Sequence, residues 1–582
     1  METRTCQNCK QDFTIDAEDF LFYEKIKVPP PTFCPECRMV RRMAWRNQRS
    51  LHRRSCDMCQ KPIITMYSPD ATFPVYCNAC FYSDKWDAGS YEMEIDWSRP
   101  FMEQWFELWN KTPKFAQIVF GNVKNSDFSN SIINSTGCYL SYSVTESEDI
   151  LYSENIDKST SMIDCYMSIE GCDSCYYSQG RANYNCKYTS QCANSIDCNF
   201  CFDCRNCQDC FMSYNLRNKK YVFRGMQLTK EDYKIAIEKE KLPSRESQQG
   251  LYKEWKNMIV NDAVHQYGRI VNGSNVTGNF IRSAKELKSC FNIYNSENIA
   301  YGARVLNAKD SYDVYDFADG ELVYETVACS FGSNRNIASI NSVGCRSLYY
   351  STHCNDSSDM FGCHSMRKKS NCILNKQYSK EEYETLFPRL VEHMNIMPYI
   401  DKKGRVYRYS DFIPYEFSPF GYNETLNHDF FRLTKEEAIS RGYNWFDAKE
   451  KNYTVSLNGE DVPDTISQTD DSITNEVIAC VHAENNESDC NHQCTKAFKI
   501  IAEELYMYRK MDIPIPIMCP NCRHYERLPV FIQPFELWHR QCMCDKEDHD
   551  HSGICPVEFE TSFAPDRPEI VYCESCYQKE VL

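Results

Sequence analysis

Aromatic residues recur at short, nearly even intervals through the middle of the chain, and turn-forming residues fill the gaps between them. Asn, Ser, Asp, Gly and Cys dominate these gaps, and helical periodicity is absent. A repeat this short and turn-rich predicts a parallel β-solenoid, with one coil per repeat and the aromatic rings stacked inside. The first series has spacings of 11 to 14 residues and consists of Tyr139, Tyr152, Tyr166, Tyr177, Tyr188, Phe200 and Phe211.

The repeat region is itself duplicated. Residues such as Phe211, Arg217 and Tyr233 recur 150 positions later, in this case as Phe361, Arg367 and Tyr383. We therefore predict two tandem β-solenoid units, residues 99–262 and 263–400. Each unit should end in a helical cap, because an open solenoid otherwise exposes a strand edge. Capping-box patterns at Thr229 and Ser379 mark the predicted cap helices.

Four further segments complete the predicted organisation. Residues 1–98 and 480–582 form terminal cysteine-rich modules, and residues 401–455 form a small α+β connector. Residues 456–479 are polar and acidic, which is typical of a flexible linker. The predicted fold class is thus mainly β with helical caps.

The two terminal modules are copies of one another. The N-terminal copy contains Cys6-x2-Cys9 and Cys34-x2-Cys37, and the C-terminal copy contains Cys490-x3-Cys494 and Cys519-x2-Cys522. From Thr65 to Cys80 the match continues at a constant offset of 496 residues, which ends at Cys576. Two such cysteine pairs can enclose one tetrahedral metal ion.

These cysteines predict about four structural Zn²⁺ ions, with the ligand pairs taken in chain order. A crossed arrangement, in which the first pair joins the third, is the alternative. Each site would have four protein ligands and no open position, which is typical of structural zinc. His549, His551 and Cys555 lie near the fourth set and could replace a ligand or bind another ion. The predicted sets are Cys6, Cys9, Cys34 and Cys37; Cys56, Cys59, Cys77 and Cys80; Cys490, Cys494, Cys519 and Cys522; and Cys542, Cys544, Cys573 and Cys576.

The first module resembles the probable zinc-ribbon domain of small bacterial proteins. The shared pattern is a CxxC pair, a following Phe, an acidic residue before an aromatic pair, a Pro before the second CxxC, and then Arg. In this chain Phe13, Phe22-Tyr23, Pro31 and Arg38 occupy those positions. The C-terminal copy departs from the pattern by starting with CxxxC. The whole chain is also similar to bacterial proteins that join such ribbons to Cys-rich repeats, and the resemblance implies zinc binding without an established activity.

A central run of cysteines has a different interpretation. Cys198, Cys201, Cys204, Cys207 and Cys210 recur every three residues, but the run lacks the Cys-Pro ending of ferredoxin-type clusters. Small buried thiols stacked along a solenoid explain the run best. A metal site and redox chemistry are the alternatives.

An arginine-rich segment suggests a partner. Residues 38–54 contain seven Arg and no acidic residue. Arg binds phosphate through its planar fork, and an aromatic ring can stack on a base. The segment therefore predicts an RNA or DNA contact, and the alternative is a solvated helix between two zinc sites. The predicted contact residues are Arg41, Trp45, Arg46, Arg49 and Arg53, whereas Arg38 and Arg42 recur as Arg523 and Arg527 and so favour a role in the fold.

Composition narrows the remaining possibilities. The 582 residues include 35 Cys, with a formal net charge of −17 and 25% charged residues. With no apparent export signal, this many thiols predicts a reducing, cytoplasmic setting. We expect no membrane segment, because no run of about 18 apolar residues occurs.

The sequence favours a binding protein over an enzyme. It contains no Gly-rich phosphate loop, no HExxH and no G-x-S-x-G elbow. The leading hypothesis is a zinc-containing scaffold that docks nucleic acid or a nucleoprotein through its N-terminal ribbon. The alternative is a protein–protein scaffold that uses the solenoid faces. A less favoured one is an enzyme with carboxylates on a solenoid flank, such as Asp164 and Asp316.

Overall fold

A computed structural model describes residues 1–448, 453–484 and 493–581. The chain is mainly β, as predicted, with two large sheets of 13 and 9 strands and several flanking helices. Pairing in both sheets is parallel except for an antiparallel hairpin that ends each of them.

The N-terminal part of the chain alternates short strands with helices. Its elements are β1 (Glu2–Thr5), β2 (Asp12–Ile15), α1 (Ala17–Ile26), α2 (Pro35–Met43), β3 (His52–Ser55), β4 (Pro62–Thr65), β5 (Val75–Tyr76), α3 (Asn78–Phe81), α4 (Phe101–Lys111) and β6 (Lys114–Phe115).

The first large sheet follows and is covered by two helices. It consists of β7 (Val119–Phe120), β8 (Asn130–Ile133), β9 (Tyr142–Thr145), β10 (Glu148–Leu151), β11 (Glu154–Asp157), β12 (Thr160–Ile163), β13 (Tyr166–Ile169), β14 (Asp173–Arg181), β15 (Lys187–Ala193), β16 (Asn199–Phe202), β17 (Gln208–Tyr214), β18 (Lys220–Phe223) and β19 (Met226–Gln227). The helices are α5 (Lys230–Lys239) and α6 (Arg245–Asn261), and β20 (Val264–Gln266) leads to the second sheet.

The second sheet ends in the same way as the first, with a hairpin and a helix. Its strands are β21 (Ile270–Tyr294), β22 (Glu297–Ala300), β23 (Ala303–Glu321), β24 (Tyr324–Val327), β25 (Ser330–Asn334), β26 (Arg346–Tyr349), β27 (Ser358–Phe361), β28 (Ser370–Ile373) and β29 (Lys376–Gln377). The helix is α7 (Lys380–Ile396), and Ser379 forms the predicted capping box with Glu382.

The rest of the chain contains short elements. The connector has β30 (Tyr399–Ile400), β31 (Val406–Tyr407), α8 (Asn427–Phe430) and α9 (Lys435–Ser440). The C-terminal module has β32 (Ile478–Ala479), α10 (Val481–Glu484), β33 (Ala497–Phe498), α11 (Ala502–Met511), α12 (Pro520–Phe531), β34 (Trp538–Gln541), β35 (Glu558–Thr561), β36 (Ile570–Tyr572) and α13 (Glu574–Val581).

The register of the large sheets is close to twelve residues per step. In the first sheet Tyr142 lies beside Glu154, which lies beside Tyr166. In the second, Glu297 lies between Lys285 and Lys309 in the same way. The backbone step is therefore regular. The aromatic spacing in the sequence is uneven because successive aromatic residues do not occupy the same position within each step.

The backbone bends at every third residue. Ser143 and Glu146 have φ angles of 53° and 47°, and the residues after them, Val144 and Ser147, are buried. Because one step of register spans about twelve residues, it contains four such bends. Gly, Asn and Asp tolerate this left-handed conformation best, which explains why these turn formers are frequent in the repeats.

Buried serines satisfy backbone groups at the bends. The N–H of Ser153 donates to Oγ of Ser141 at 3.2 Å, and the N–H of Cys165 donates to Oγ of Ser153 at 2.9 Å. A buried N–H without a partner would cost about 1–3 kcal/mol. This internal serine ladder therefore supports the regular path of the chain.

The aromatic series of the first unit does not fill the interior of the repeats. The prediction that these rings stack inside the coils is therefore wrong. The inward positions of the first unit hold mainly Cys, Ser and aliphatic side chains. Tyr188 and Phe200 stack at 4.5 Å outside that core and contact Trp255 of α6. The rings of the first unit instead join the sheet to its covering helices and to the C-terminal module.

The acidic segment 456–479 is packed rather than extended into solvent. Val462, Ile466 and Ile473 are buried in the same cluster as Trp255. Arg245 at the start of α6 donates to the carbonyl oxygens of Val462 and Pro463 at 2.7 and 3.0 Å. Three apolar residues thus anchor a segment whose average composition is typical of a linker.

The terminal modules attach at equivalent places. In the N-terminal module β5 pairs with β6, which brings Val75 beside Lys114. In the C-terminal module β36 pairs with β20, which brings Ile570 beside Val264. Lys114 and Val264 are 150 residues apart, the same distance that separates the two repeat units.

Candidate metal centres and a basic cleft

The first cysteine set converges as predicted. Cys6 and Cys9 lie in the turn between β1 and β2, while Cys34 caps α2 and Cys37 lies in its first turn. The four Sγ atoms lie within 4.8 Å of one another, and those of Cys9 and Cys34 are 3.7 Å apart. A Zn–S bond of about 2.3 Å in a tetrahedron requires sulfur atoms about 3.8 Å apart, so the set fits zinc.

Hydrogen bonds within this set shift the pKa values of its thiols in opposite directions. A hydrogen bond from Cys34 lowers the pKa of Cys6, and contacts with Cys37 and Cys6 raise the pKa of Cys34. The N–H of Cys34 also donates to Sγ of Cys6 at 3.3 Å. Such bonds favour a thiolate, which is the form that binds a metal ion.

The second set has the same construction. Cys56, Cys59, Cys77 and Cys80 converge, and the Sγ atoms of Cys59 and Cys77 are 3.9 Å apart. The N–H of Cys77 donates to Sγ of Cys56 at 3.2 Å. In both sets the ligand pairs follow chain order, so the crossed arrangement does not occur.

The third set contains a ligand that sequence reasoning missed. Its members are Cys480, Cys494, Cys519 and Cys522, and the Sγ atoms of Cys480 and Cys522 are 3.8 Å apart. Cys519 donates its N–H to Sγ of Cys480 at 3.3 Å, as Cys34 does to Cys6. Cys490, the predicted ligand, lies outside the described residues. Cys480 was missed because the turn that joins the first two ligands, from Cys480 to Cys494, is eleven residues longer than the turn from Cys6 to Cys9.

The fourth set also differs from the prediction by one residue. Cys542, Cys555, Cys573 and Cys576 converge, with Cys555 and Cys573 Sγ atoms 4.0 Å apart. Cys555 takes the place that we assigned to Cys544. The constant offset of 496 residues maps Cys59 onto Cys555, and this signal would have identified the ligand.

The arginine-rich segment lies mainly inside the protein. Arg41 and Arg46 are 3% and 2% exposed, and Trp45 is 4% exposed against Trp105 and Trp109. The prediction that these three side chains contact nucleic acid on the surface is therefore wrong. Their sequence pattern resembles an exposed basic helix because the acidic partners are distant in the chain.

Those acidic partners belong to the second sheet. Arg38 and Arg42 both donate to Asp313, at 2.9 and 3.0 Å, and Arg42 also donates to Glu325 at 2.9 Å. Arg41 donates to Glu325 at 2.7 Å. The ion pairs join the N-terminal module to the second repeat unit.

The C-terminal module uses the equivalent arginines on the other unit. Arg523 and Arg527 both donate to Asp164, at 2.6 and 2.7 Å. Asp164 is only 1% exposed, so these ion pairs are buried where the C-terminal module meets the first repeat unit. The structural role that their repetition favours is thus confirmed for both arginine pairs.

Two predicted contact residues remain near the surface. Arg49 lies over Tyr142 at 5.1 Å, and its nearest guanidinium nitrogen is 3.9 Å from Glu154. Burial raises the pKa of Glu154 to about 7, with Asp429 adding to the effect. Arg53 is exposed, with its guanidinium 5.7 Å from the ring centre of Phe128.

The central cysteines occupy consecutive inward positions of the first unit. Cys198, Cys201, Cys204, Cys207 and Cys210 are all at most 2% exposed and belong to one core with aliphatic residues. The Sγ atoms of Cys198 and Cys201 lie 3.4 Å from backbone carbonyl oxygens two residues earlier. The period of three is the period of the bends, which supports core packing.

A cleft of about 740 Å³ opens beside the first cysteine set. The knuckle from Gln7 to Gln11 forms one wall, and connector residues form the other. Four exposed cations line it, whereas Glu36 and Glu536 are its acidic residues. The cations are Lys10, Lys403, Arg432 and Arg441.

The cleft also has an aromatic side. Phe430 and Phe431 are half-buried there, and Phe430 stacks on Phe535 at 4.1 Å. Desolvation raises the pKa of Glu536, and the nearby Glu36 adds to the shift. No linear pattern in the sequence marks this site, because Lys10 lies in the N-terminal module and the other three cations lie in the connector.

Comparisons of the chain with protein-family models, curated proteins and solved structures found no match. The zinc-ribbon resemblance therefore rests on the residues named above. What the structure adds is the convergence of four-cysteine groups at both ends that could hold metal ions. Within its described residues, none of the helices is long and apolar enough to cross a lipid bilayer.

Proposed function

We propose that this chain is a zinc-stabilised, non-enzymatic docking protein that binds a single-stranded segment of RNA or DNA in the basic cleft. Two parallel β-solenoid units form the scaffold, and four Zn²⁺ ions hold the terminal modules. The twelve-residue register with four bends per step supports the solenoid interpretation. The cytoplasmic setting remains a prediction from the number of thiols.

The charge of the cleft is the observation that carries the proposal. The chain has a formal net charge of −17, yet four exposed cations and two acids line this one cavity. Cations on a groove wall attract the phosphate backbone, and aromatic faces stack on bases without sequence preference. Phe430 and Phe431 supply such faces.

The adjacent zinc site explains the shape of the cleft. Cys9 and Cys37 line the cavity, and Lys10 follows Cys9 directly. Arg405 fixes the facing wall, because it donates to Asp401 at 2.5 Å and to Asn8 of the knuckle at 2.8 Å. Removing the ion should therefore distort the binding site as well as the module.

A salt series with a matched variant tests the proposal. The test variant reverses Lys10, Lys403, Arg432 and Arg441 to Glu. The control variant reverses four exposed lysines of the first unit, so that both variants change the net charge equally. The control residues are Lys219, Lys220, Lys234 and Lys239.

We expect zinc-loaded wild type and control to bind single-stranded oligonucleotides with a steep salt dependence. Four lost phosphate contacts should reduce the slope of log K against log salt by about 3. Equal loss of binding in both variants, or binding that salt does not affect, would contradict the proposal. Capture of a protein partner that survives the charge reversal in the test variant would favour the protein–protein scaffold instead.

A further inference from the structure

A ten-residue insertion distinguishes the fourth cysteine set from the second. The offset between the two modules is 486 residues at Cys542 and 496 residues at Cys555. The surrounding backbone is otherwise the same: Cys56 donates its N–H to Lys61 O, and Cys542 donates to Val557 O, both at 2.9 Å. The extra residues therefore form a loop within an unchanged knuckle.

The loop brings a second group of metal-binding atoms to the site. Cys544, His549 and His551 come from the insertion, and their ligand atoms lie within 4.8 Å of each other and of Cys576 Sγ. Cys544 Sγ is 3.1 Å from His549 Nδ1, and Cys576 Sγ is 3.5 Å from His551 Nε2. Two Cys and two His are a common donor set for structural zinc.

An oxygen atom lies beside the outer nitrogen of each imidazole. His551 Nδ1 lies 2.9 Å from the carbonyl oxygen of Gly553, which directs Nε2 to the site. His549 Nε2 lies 3.8 Å from Glu580 Oε2, on the side opposite to Cys544. Such outer contacts are typical of metal-bound histidines. His549 is 6% exposed and Cys544 is fully buried.

Cys576 belongs to both groups. Its sulfur is one of the four thiol ligands and one of the two Cys2His2 thiols. A thiolate has lone pairs for two ions, and paired metal ions in proteins lie roughly 3.5–4 Å apart. We propose that the C-terminal module binds a dinuclear zinc centre, in which Cys576 bridges a four-cysteine ion and a second ion held by Cys544, His549 and His551.

Deleting residues 544–553 tests this site, and the N-terminal module provides the template for the shortened loop. The deletion leaves Cys542-Met543-Ile554-Cys555, which reproduces the spacing of Cys56-x2-Cys59. Met543 keeps its N–H bond to Val571 O, which matches that of Asp57 to Val75 O, both at 3.0 Å. The shortened module should thus fold around one ion.

The first readout is the zinc content of the purified full chain, measured by elemental mass spectrometry. We expect the deletion and the double variant His549→Ala/His551→Ala each to lose one ion per chain. The second readout is the paramagnetic signal of cobalt-substituted protein. A bridging thiolate couples two cobalt ions and weakens their signal, so the signal per chain should rise in the deletion although total cobalt falls. Unchanged zinc content in both variants, or a signal that falls in proportion to cobalt, would overturn the proposal.

Discussion

Replacing Asp313 by Asn should destabilise the junction between the N-terminal module and the second repeat unit. Asp313 is fully buried and accepts hydrogen bonds from Arg38 and Arg42 at 2.9 and 3.0 Å. The substitution leaves two buried guanidinium groups with Glu325 as the remaining carboxylate between them. Breaking a buried ion pair by removing one partner costs about 3–5 kcal/mol.

The assay is urea unfolding of zinc-loaded protein, followed by tryptophan fluorescence. Trp45 is buried beside this junction, so its emission should report the transition. Asp447→Asn is the control, because Asp447 pairs with Lys435 at an exposed site. That pair should contribute about 0–1 kcal/mol. If Asp313→Asn costs no more than the control, the buried-arginine account is wrong.

Three further predictions follow from the geometry. Burial raises the pKa of Glu154 to about 7, so folding favours the protonated carboxyl and becomes less favourable as the pH rises. The unfolding free energy of wild type relative to Glu154→Gln, measured by denaturant titration, should therefore fall by about 3 kcal/mol between about pH 5 and pH 8. A difference that does not change with pH would contradict the shift. Cys480→Ser should lose one zinc ion per chain while Cys201→Ala loses none, and elemental analysis that shows the reverse would overturn both assignments. A Cβ at Gly180 would lie 2.1 Å from the Cys192 carbonyl oxygen, so Gly180→Ala should lower the free energy of unfolding by about 2 kcal/mol or more. Gly225→Ala, with open space around its Cβ, should lower it by about 1 kcal/mol. Equal thermal stability of the two variants would refute the close packing of successive steps.

The internal duplications made much of the architecture predictable. The parallel step and the end helices could be inferred because residues 150 positions apart are alike and capping boxes are local signals. Cysteine pairs with two residues between them could be assigned because both ligands lie in one turn. Cys480 could not, because an insertion separates it from Cys494. An insertion also separates Cys555 from Cys542, but the offset of 496 residues from Cys59 was enough to identify Cys555.

Burial was the property that sequence patterns predicted least well. Arg41 and Arg46 look like surface cations until Glu325 and Asp316 are brought to them from about 270 or more residues away. Likewise the aromatic repeats are visible in the sequence, but their position outside the core depends on the three-residue bends. In both cases the burial of a side chain depends on contacts with residues that are distant in the sequence.

Mapping photo-crosslinks is the most direct test of the proposed function. Zinc-loaded wild type would be irradiated with a single-stranded RNA that contains 4-thiouridine, and the modified peptides identified by mass spectrometry. We predict crosslinks in residues 430–433 and 7–11, on the two walls of the cleft, with none there in the four-cation variant. Crosslinks confined to other surfaces, such as that around Arg53, or no crosslinks above background, would contradict the account.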